Sequence, residues 1–219
     1  YLHRLIRRQR QMCIRDSKCI LLLGTNPRQS ERGSWHVILD TKKSRAKLIV
    51  VDPRYTEPAQ WADIWLQLRP GTDCALMMGM INIIISEGLY DKEFVEKWCH
   101  GFDKLAERAR EYPLEKVAGI TRVPAEKIEQ AARMYATNKP AMSFNYMGVE
   151  QLANVVEALH ARFILPAITG NVDVRGGDLG RPPTAQYVPE SGVELDDRMP
   201  LEQKKNQLGA DPLLLLSWI

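Results

Sequence analysis

The stretch CILLLGTNP at residues 19–27 sets the fold class of this chain. Its first half is a short continuous apolar run, which is typical of a strand buried on both faces of a parallel sheet. Its second half contains Gly24, Asn26 and Pro27, and each of these residue types favours a turn. The pattern therefore predicts a buried strand that ends at Gly24 in a tight loop.

The same pattern of strand and loop recurs further along the chain. KLIVVD at 47–52 predicts a second buried strand, and DIWLQL at 63–68 predicts a third that stops at RPGTD, residues 69–73. AMSFNYMG at 141–148 is a fourth strand candidate. Helical patterns separate the strands, so we expect an α/β fold with a doubly wound, Rossmann-like and mostly parallel sheet.

The helices are predicted from apolar periodicity and capping residues. A weak pattern covers 31–44, and a long one runs from Thr72 or Asp73 to Ile85 before Gly88. Two shorter helices are predicted at 91–98, capped by Asp91, and at 103–111. Another begins with Pro124 and should bury Ile128, Ala131, Ala132 and Tyr135. The last covers 154–169, and Pro166 should bend or end it.

Composition and charge argue against several classes of protein. The 219 residues carry a formal net charge of +3, which gives no argument for nucleic acid or a membrane surface as partner. No apolar stretch reaches the length of about 20 residues that a transmembrane helix needs, so we expect no direct membrane insertion. The four cysteines are too far apart in sequence for a zinc ribbon or an iron–sulfur run, and we expect them to be buried apolar residues.

The chain divides into three parts by sequence pattern. Residues 1–17 are basic and aperiodic, and we expect a non-native or disordered extension; the alternative is a basic amphipathic arm. Residues 18–180 carry the strand and helix patterns and are expected to form the α/β domain. Residues 181–219 are expected to be the truncated start of a further segment.

The loops that follow the strands are the expected place for chemistry, because ligands of open α/β sheets bind at the carboxyl ends of the strands. Gly24 and Gly71 would let a ligand approach the backbone, and Asn26 offers both a donor and an acceptor. Asp52, at a strand end, can accept two hydrogen bonds from a ribose diol. Arg54 can pair with phosphate oxygens.

Asp73 opens the long predicted helix, where the helix dipole favours its carboxylate, and it could accept from the two donors on a guanine edge. Each loop also has a simpler interpretation as a turn or, for Asp73, as a helix cap. Neither Gly-x-Gly-x-x-Gly nor Gly-x-x-x-x-Gly-Lys occurs, so ordinary NAD and phosphate-loop sites are not indicated. His36, His100 and His160 lack metal-ligand spacing, and no catalytic or metal-ligating residue is assigned.

The order and spacing of the three loops resemble the DMSO reductase family of molybdopterin oxidoreductases. The similar segments are LLLGTNP (21–27), KLIVVDPRYTEPAQWAD (47–63), LRPGTDCALMMGMINIIISEGLYDKEFVEKWCHGFDKL (68–105) and AITGNVDVRGGDLG (167–180). They extend from about Cys19 to at least Gly180, and VDPR and RPGTD at this separation, with EGLYD behind them, are specific in combination. The family implies a domain that binds one molybdopterin guanine dinucleotide arm of a bis(molybdopterin guanine dinucleotide) molybdenum or tungsten cofactor.

The resemblance also implies a set of cofactor-binding positions. In the loops these are Gly24, Thr25 and Asn26 on the pyrophosphate or pterin side, Asp52, Pro53 and Arg54 near the guanosine, and Gly71 and Asp73 towards the guanine. Further candidates are Gly148, Gln151, Gly170 and Asn171. For these last four, packing and turn formation stand as an equal alternative.

Two features of the family find no match in the sequence: the cysteine-rich segment that holds a 4Fe–4S cluster, and the Ser, Cys, selenocysteine or Asp ligand of the metal. We therefore expect an internal fragment that is inactive alone, because a metal site needs its complete set of ligands. The resemblance implies that the parent catalytic subunit works with an iron–sulfur electron-transfer subunit and a membrane anchor subunit.

The substrate is left open by the sequence. Substrates in the family include sulfur oxyanions, sulfoxides, formate, nitrate and arsenicals, and thiosulfate or polysulfide reductase-like members are the most similar. The alternatives are a non-redox hydratase on the same scaffold, a stand-alone nucleotide-binding module and a structural subunit without catalysis. Localisation, either cytoplasmic or exported through the twin-arginine route, is also open.

Overall fold

The computed structural model describes residues 14–178, in which strands and helices alternate along the chain. The strands are β1 (Cys19–Leu23), β2 (Lys47–Val51), β3 (Ile64–Leu66) and β4 (Ala141–Asn145). The helices are α1 (Pro27–Ser30), α2 (Arg32–Lys43), α3 (Glu57–Trp61), α4 (Asp73–Ser86), α5 (Lys92–Trp98), α6 (Phe102–Arg110), α7 (Leu114–Thr121), α8 (Ala125–Thr137), α9 (Met147–Glu150) and α10 (Val155–Ile168).

The four strands form one parallel sheet in the order β3-β2-β1-β4. Cys19 of β1 lies opposite Lys47 of β2 and Ala141 of β4, so β1 is central. The chain adds β2 and β3 on one side of β1 and then crosses to the other side for β4. The strand order therefore reverses between β1 and β4, which is where open α/β sheets bind ligands. The predicted α/β fold with a mostly parallel sheet is confirmed.

Helices cover both faces of the sheet, which explains why the strands are continuous apolar runs. Along β1, Cys19, Leu21 and Leu23 face the larger core, which contains residues of α4, α8 and α10. Ile20 and Leu22 face the smaller core with residues of α2 and α3. Every residue of β1 is thus buried, as the pattern predicted.

Helix α4 lies at the centre of the larger core and packs against α10, α8, α7 and α6. Because neighbours surround it, apolar residues occur around most of its circumference. Helix α8 buries Ile128, Ala131, Ala132 and Tyr135 completely, as predicted. Across residues 14–178, none of the helices combines the length and apolar character needed to cross a bilayer.

Several local predictions differ from the structure. Strand β4 ends at Asn145 rather than Gly148, because the chain turns into α9 and brings Gly148 against Gly24. Pro124 precedes the first helical residue of α8 instead of occupying it. Pro166 lies inside α10, which continues to Ile168, so of the two predicted alternatives it does not end the helix. The sequence pattern did not predict α1, α7 or α9.

The predicted extension 1–17 overlaps the described residues at its end. Ile14 is buried in the smaller core, and the Ser17 hydroxyl donates to the carbonyl oxygen of Gly176 over 2.7 Å. Arg175 pairs with Asp16 at 2.7 Å. Residues 14–17 therefore contact the α/β domain, whereas 1–13 and the predicted segment 181–219 lie outside the described residues.

Candidate functional site

A cavity of about 460 Å³ lies at the carboxyl ends of the parallel strands. Its volume falls in the range typical of small-molecule sites. The loops after β1, β2, β3 and β4 all contribute, as the rule for open α/β sheets predicts. The lining residues are Gly24, Thr25, Asn26, Gln29, Ser30, Val51, Asp52, Pro53, Arg54, Leu68, Pro70, Asp73, Tyr146, Met147 and Gly148.

Gly24 and Gly148 form the floor of the cavity between β1 and β4. Gly148 donates its backbone N–H to the carbonyl oxygen of Gly24 over 3.0 Å. A Cβ atom on Gly148 would lie 2.5 Å from that oxygen, and Gly24 has a positive φ of 53°. Only glycine fits this contact without a shift of the backbone, so the floor stays free of side chains.

Two polar atoms of the first loop are buried without a hydrogen-bond partner: Thr25 Oγ1 and Asn26 Oδ1. Thr25 is 3% exposed, and both residues line the cavity. Buried polar groups are normally paired, because leaving one unpaired costs free energy. These atoms are therefore available to a ligand in the cavity.

The second loop is held in place by hydrogen bonds around Asp52, which is 2% exposed. Asp52 Oδ1 accepts from the backbone N–H of Arg54 over 2.8 Å, and Arg54 Nε lies 3.5 Å from the same oxygen. Trp65 donates its indole N–H to the Asp52 carbonyl, and Gln67 donates to the carbonyl of Pro53. The Arg54 side chain remains 69% exposed, so its guanidinium can reach an anion.

Asp73 is the first residue of α4, and its carboxyl group is buried in the cavity wall. Burial raises the pKa of Asp73 to about 6; its own backbone N–H opposes the rise, and the negative charge of Asp52 adds to it. A buried carboxylate without an ion-pair partner is costly, and such groups cluster at functional sites. Asp73 is suited to accept hydrogen bonds from a ligand.

The structure brings most of the predicted binding residues together. Gly24, Thr25, Asn26, Asp52, Pro53, Arg54, Asp73 and Gly148 line the one cavity. Gly71 lies beside it, next to the lining residue Pro70, and its carbonyl accepts from Asn154 Nδ2 over 3.3 Å. Gln151 is exposed and is not among the lining residues.

Gly170 and Asn171 lie away from the cavity, at the amino end of β4. Asn171 is 1% exposed; its Oδ1 accepts from the backbone N–H of Ala141, and its Nδ2 donates to Thr169 Oγ1. A Cβ on Gly170 would lie 2.5 Å from Asp91 Oδ2. Their placement fits the alternative of packing and turn formation.

The sequence prediction missed seven lining residues, of which Tyr146 and Met147 are the most exposed large ones, at 40% and 44%. Both follow β4 directly, so the strand-end rule that selected the other loops could have found them. The others are Gln29, Ser30, Val51, Leu68 and Pro70.

Within residues 14–178, no group of three or more His, Cys, Asp or Glu side chains could hold a metal ion. Cys19 is fully buried in β1, and burial raises the pKa of its thiol to about 12, so it stays protonated. This agrees with its predicted role as a small buried apolar residue.

The family profile described as molybdopterin oxidoreductase matches residues 8–198. The chain belongs to the molybdopterin oxidoreductase family. The resemblance to the DMSO reductase family is confirmed by the named relatives. The dimethyl sulfoxide reductase DmsA of Escherichia coli is 36% identical over a match that covers 76% of this chain and 24% of that protein. Formate dehydrogenase H of Escherichia coli is 38% identical over 73% of this chain and 22% of that protein.

A further relative is an acetylene hydratase. The enzyme of Syntrophotalea acetylenica is 44% identical over 204 residues, which is 93% of this chain and 28% of that protein. The solved structure of acetylene hydratase from Pelobacter acetylenicus superposes with a TM-score of 0.73 and 41% identity, over 93% of this chain and 30% of that one. The chain thus spans about a quarter of the length of the curated relatives it matches.

Proposed function

We propose that the strand-end cavity binds the guanosine diphosphate part of one molybdopterin guanine dinucleotide arm. One observation carries the proposal. Two buried carboxylates, Asp52 and Asp73, converge on a single cavity with the unpaired polar atoms of Thr25 and Asn26. All four lie at the carboxyl ends of parallel strands, where this class of sheet binds nucleotides.

Each group in the cavity has a chemical counterpart in such a ligand. Guanine presents adjacent N–H donors on one edge, and the ionised Asp73 carboxylate can accept from both. Asp52 has a second carboxylate oxygen beside the one that holds the Arg54 backbone, and it can accept from a ribose hydroxyl. Arg54 can swing to a phosphate, since its side chain is exposed.

The first loop fits the remaining part of the ligand. The Gly24 floor lets a bulky group approach the backbone, and Thr25 Oγ1 and Asn26 Oδ1 supply the hydrogen bonds that burial leaves unpaired. When bound, the molybdenum or tungsten pterin cofactor supplies the redox chemistry, whereas the residues of this chain hold and orient one of its nucleotides.

For the whole protein, we propose the catalytic subunit of a molybdopterin-dependent oxidoreductase. It would transfer electrons to or from a small substrate such as a sulfur oxyanion, through a 4Fe–4S cluster outside this chain. An iron–sulfur subunit and a membrane anchor would be its partners. The family membership and the DmsA relative support this proposal.

A hydratase is the second candidate, and one observation favours it. The acetylene hydratase match covers 93% of this chain, more than the 76% covered by DmsA. A hydratase adds water without a net transfer of electrons. The holoenzyme would therefore turn over without an electron donor or acceptor, whereas an oxidoreductase requires one, so an assay with and without a viologen dye separates the two.

The cavity itself is tested by calorimetric titration of the 219-residue chain with GDP and ADP. We expect GDP to bind and ADP to bind much more weakly. Guanine has two adjacent N–H donors on one edge for a single carboxylate, and adenine does not. Asp73→Ala should weaken GDP binding by about 10- to 100-fold, the usual value of hydrogen bonds to a charged group. Asp52→Ala should weaken it as well.

Asp103→Ala is the matched control, because Asp103 is an exposed acid in the first turn of α6. It should leave GDP affinity unchanged. A folded chain that binds GDP and ADP equally, or that binds GDP unaffected by Asp73→Ala, would show that the cavity does not recognise guanine. Absence of GDP binding by a folded chain would favour a structural role.

A further inference from the structure

We propose that Glu57 is a positioning residue that fixes the α1 wall of the cavity against the loop after β2. The inference rests on the proposed nucleotide site for its functional readout. Glu57 does not line the cavity; it is the first residue of α3, three positions after Arg54. Its effect on a ligand would therefore be indirect.

The Glu57 carboxylate joins three elements that meet behind the cavity. Its Oε2 accepts from Arg28 Nε of α1 over 2.7 Å. Its Oε1 accepts from the indole Nε1 of Trp35 in α2 over 3.2 Å. One side chain on α3 thus holds one donor from α1 and one from α2.

The contact with Trp35 makes Glu57 more than one half of a surface ion pair. Exposed ion pairs usually contribute little, and the side chains of Arg28 and Glu57 are 45% and 39% exposed. Trp35, in contrast, is 1% exposed, and a buried indole N–H needs an acceptor. Trp35 therefore fixes the Glu57 carboxylate, and the fixed carboxylate can hold Arg28.

Arg28 belongs to a short helix with few hydrogen bonds of its own. Helix α1 has four residues, too few to be stable alone, and its N-cap residue Asn26 makes no side-chain capping bond. Gln29 and Ser30 of α1 line the cavity. The contact between Arg28 and Glu57 is a direct tie between this wall and α3.

The start of α3 is also connected to the part of the cavity wall that the loop after β2 forms. Thr56 caps α3 by accepting from the backbone N–H of Ala59 over 3.4 Å, and its own N–H donates to the carbonyl of Arg54 over 3.0 Å. Pro53 and Arg54 line the cavity. The start of α3 is therefore connected to the loop after β2 on one side and to α1 on the other, and Glu57 sets the separation of the two walls.

The test is a double-mutant cycle on the 219-residue chain, with GDP affinity measured by calorimetry. Arg28→Ala and Glu57→Ala should each weaken GDP binding about fivefold, and the double variant no more than Glu57→Ala, because both break the same tie. Glu57→Gln should fall between wild type and Glu57→Ala, since one amide oxygen can serve only one of the two donors.

Arg133→Ala is the matched control. Arg133 makes a similar exposed contact between elements, with Nε donating to Glu87 Oε2 over 2.8 Å at the far end of α4. It should leave GDP affinity within twofold of wild type. Arg28→Ala and Glu57→Gln could instead lower the melting temperature and leave GDP affinity within twofold of wild type, as in the control. In that case Glu57 has only a structural role. Additive losses in the double variant would also overturn the proposal.

Failure of the proposed nucleotide site can be told apart from failure of this inference. If the folded wild-type chain does not bind GDP, the nucleotide site fails, and amide hydrogen exchange then decides the role of Glu57. Glu57→Gln and Arg28→Ala should speed exchange in residues 28–31 and leave α6 unchanged. Unchanged exchange in 28–31 would overturn the positioning role without any ligand.

Discussion

Asp73 combines burial with a charge that its own backbone N–H compensates only in part. Its pKa of about 6 lies above the ordinary value of 3.8, chiefly because burial disfavours the carboxylate. The folded chain therefore binds more protons than the unfolded chain between these two values. The free energy of unfolding falls as pH rises through this window, and the full cost is present above about pH 6.

Asp73→Asn should accordingly stabilise the ligand-free chain while it weakens GDP binding. We expect the free energy of unfolding to rise by about 1–3 kcal/mol near neutral pH, because the amide carries no charge to desolvate. The gain should shrink as pH falls from about 6 towards 3.8, and it should vanish only below 3.8, where Asp73 is protonated in both states. Urea denaturation at several pH values measures it. Glu115→Gln, an exposed acid in the first turn of α7, is the control; an equal gain there would contradict the explanation.

Gly148 is required by contact rather than by backbone conformation. A Cβ would lie 2.5 Å from the Gly24 carbonyl oxygen, and the obstacle is backbone that cannot move aside cheaply. We expect Gly148→Ala to lower the free energy of unfolding by about 2 kcal/mol, in the range of overpacked sites, and to abolish GDP binding.

The matched control for Gly148→Ala is Gly119→Ala. Gly119 lies in α7 with no atom within 4 Å of its would-be Cβ, so alanine should be neutral or stabilising by up to about 1 kcal/mol. Thermal melts and calorimetry of both variants decide the matter. Equal effects of the two substitutions would mean that the contact between Gly24 and Gly148 is not tight in solution.

At the scale of elements, the outer edge of β4 is covered by side chains where a fifth strand could pair. Asn171 Oδ1 accepts from the N–H of Ala141, and Asp178 Oδ1 accepts from the N–H of Ser143 over 3.0 Å. Arg162 of α10 lies 3.2 Å from Asp178 Oδ2, to which the Ser143 hydroxyl also donates. The segment 171–178 is thereby fixed to the edge of the sheet.

Removal of the Asp178 carboxylate should leave Arg162, which is 8% exposed, as an uncompensated buried charge. We expect Asp178→Ala to lower the free energy of unfolding by about 3 kcal/mol, the usual cost of breaking one side of a buried pair. Asp178→Asn should cost less, because its amide oxygen still accepts from Ser143. Urea denaturation measures both. Asp16→Ala, which removes the partner of the exposed Arg175, should change little; a loss as large as that of Asp178→Ala would refute the argument.

Strands and long helices could be predicted from the sequence because burial on both faces leaves continuous apolar runs, as in β1 and α4. The short helices α1 and α9 could not be predicted, since four residues show no helical period. Asn171 follows α10 in a Gly-Asn turn that resembles a binding loop in sequence. Only the three-dimensional structure shows that it meets the amino end of β4, away from the cavity.

At the scale of the whole molecule, the walls of the cavity come from parts of the sequence that are far apart. All four loops that line it lie between residues 24 and 148, on one sheet with a core on each face. The sequence could predict three of these loops one by one. The loops converge because the strand order reverses between β1 and β4. The strand order cannot be predicted from any single segment of the sequence.

A site built within one sheet should respond to its ligand without the remainder of the longer relatives. GDP at about 100 times its dissociation constant should add about 2.7 kcal/mol to the free energy of unfolding, because it binds only the folded state. For a domain of this size the melting temperature should rise by about 5–10 °C, and ADP at the same concentration should give much less. Differential scanning calorimetry of the 219-residue chain measures both shifts. Equal shifts with the two nucleotides would show that the chain recognises only the ribose and diphosphate that they share. A GDP shift that Asp73→Asn removes would locate base recognition at the start of α4.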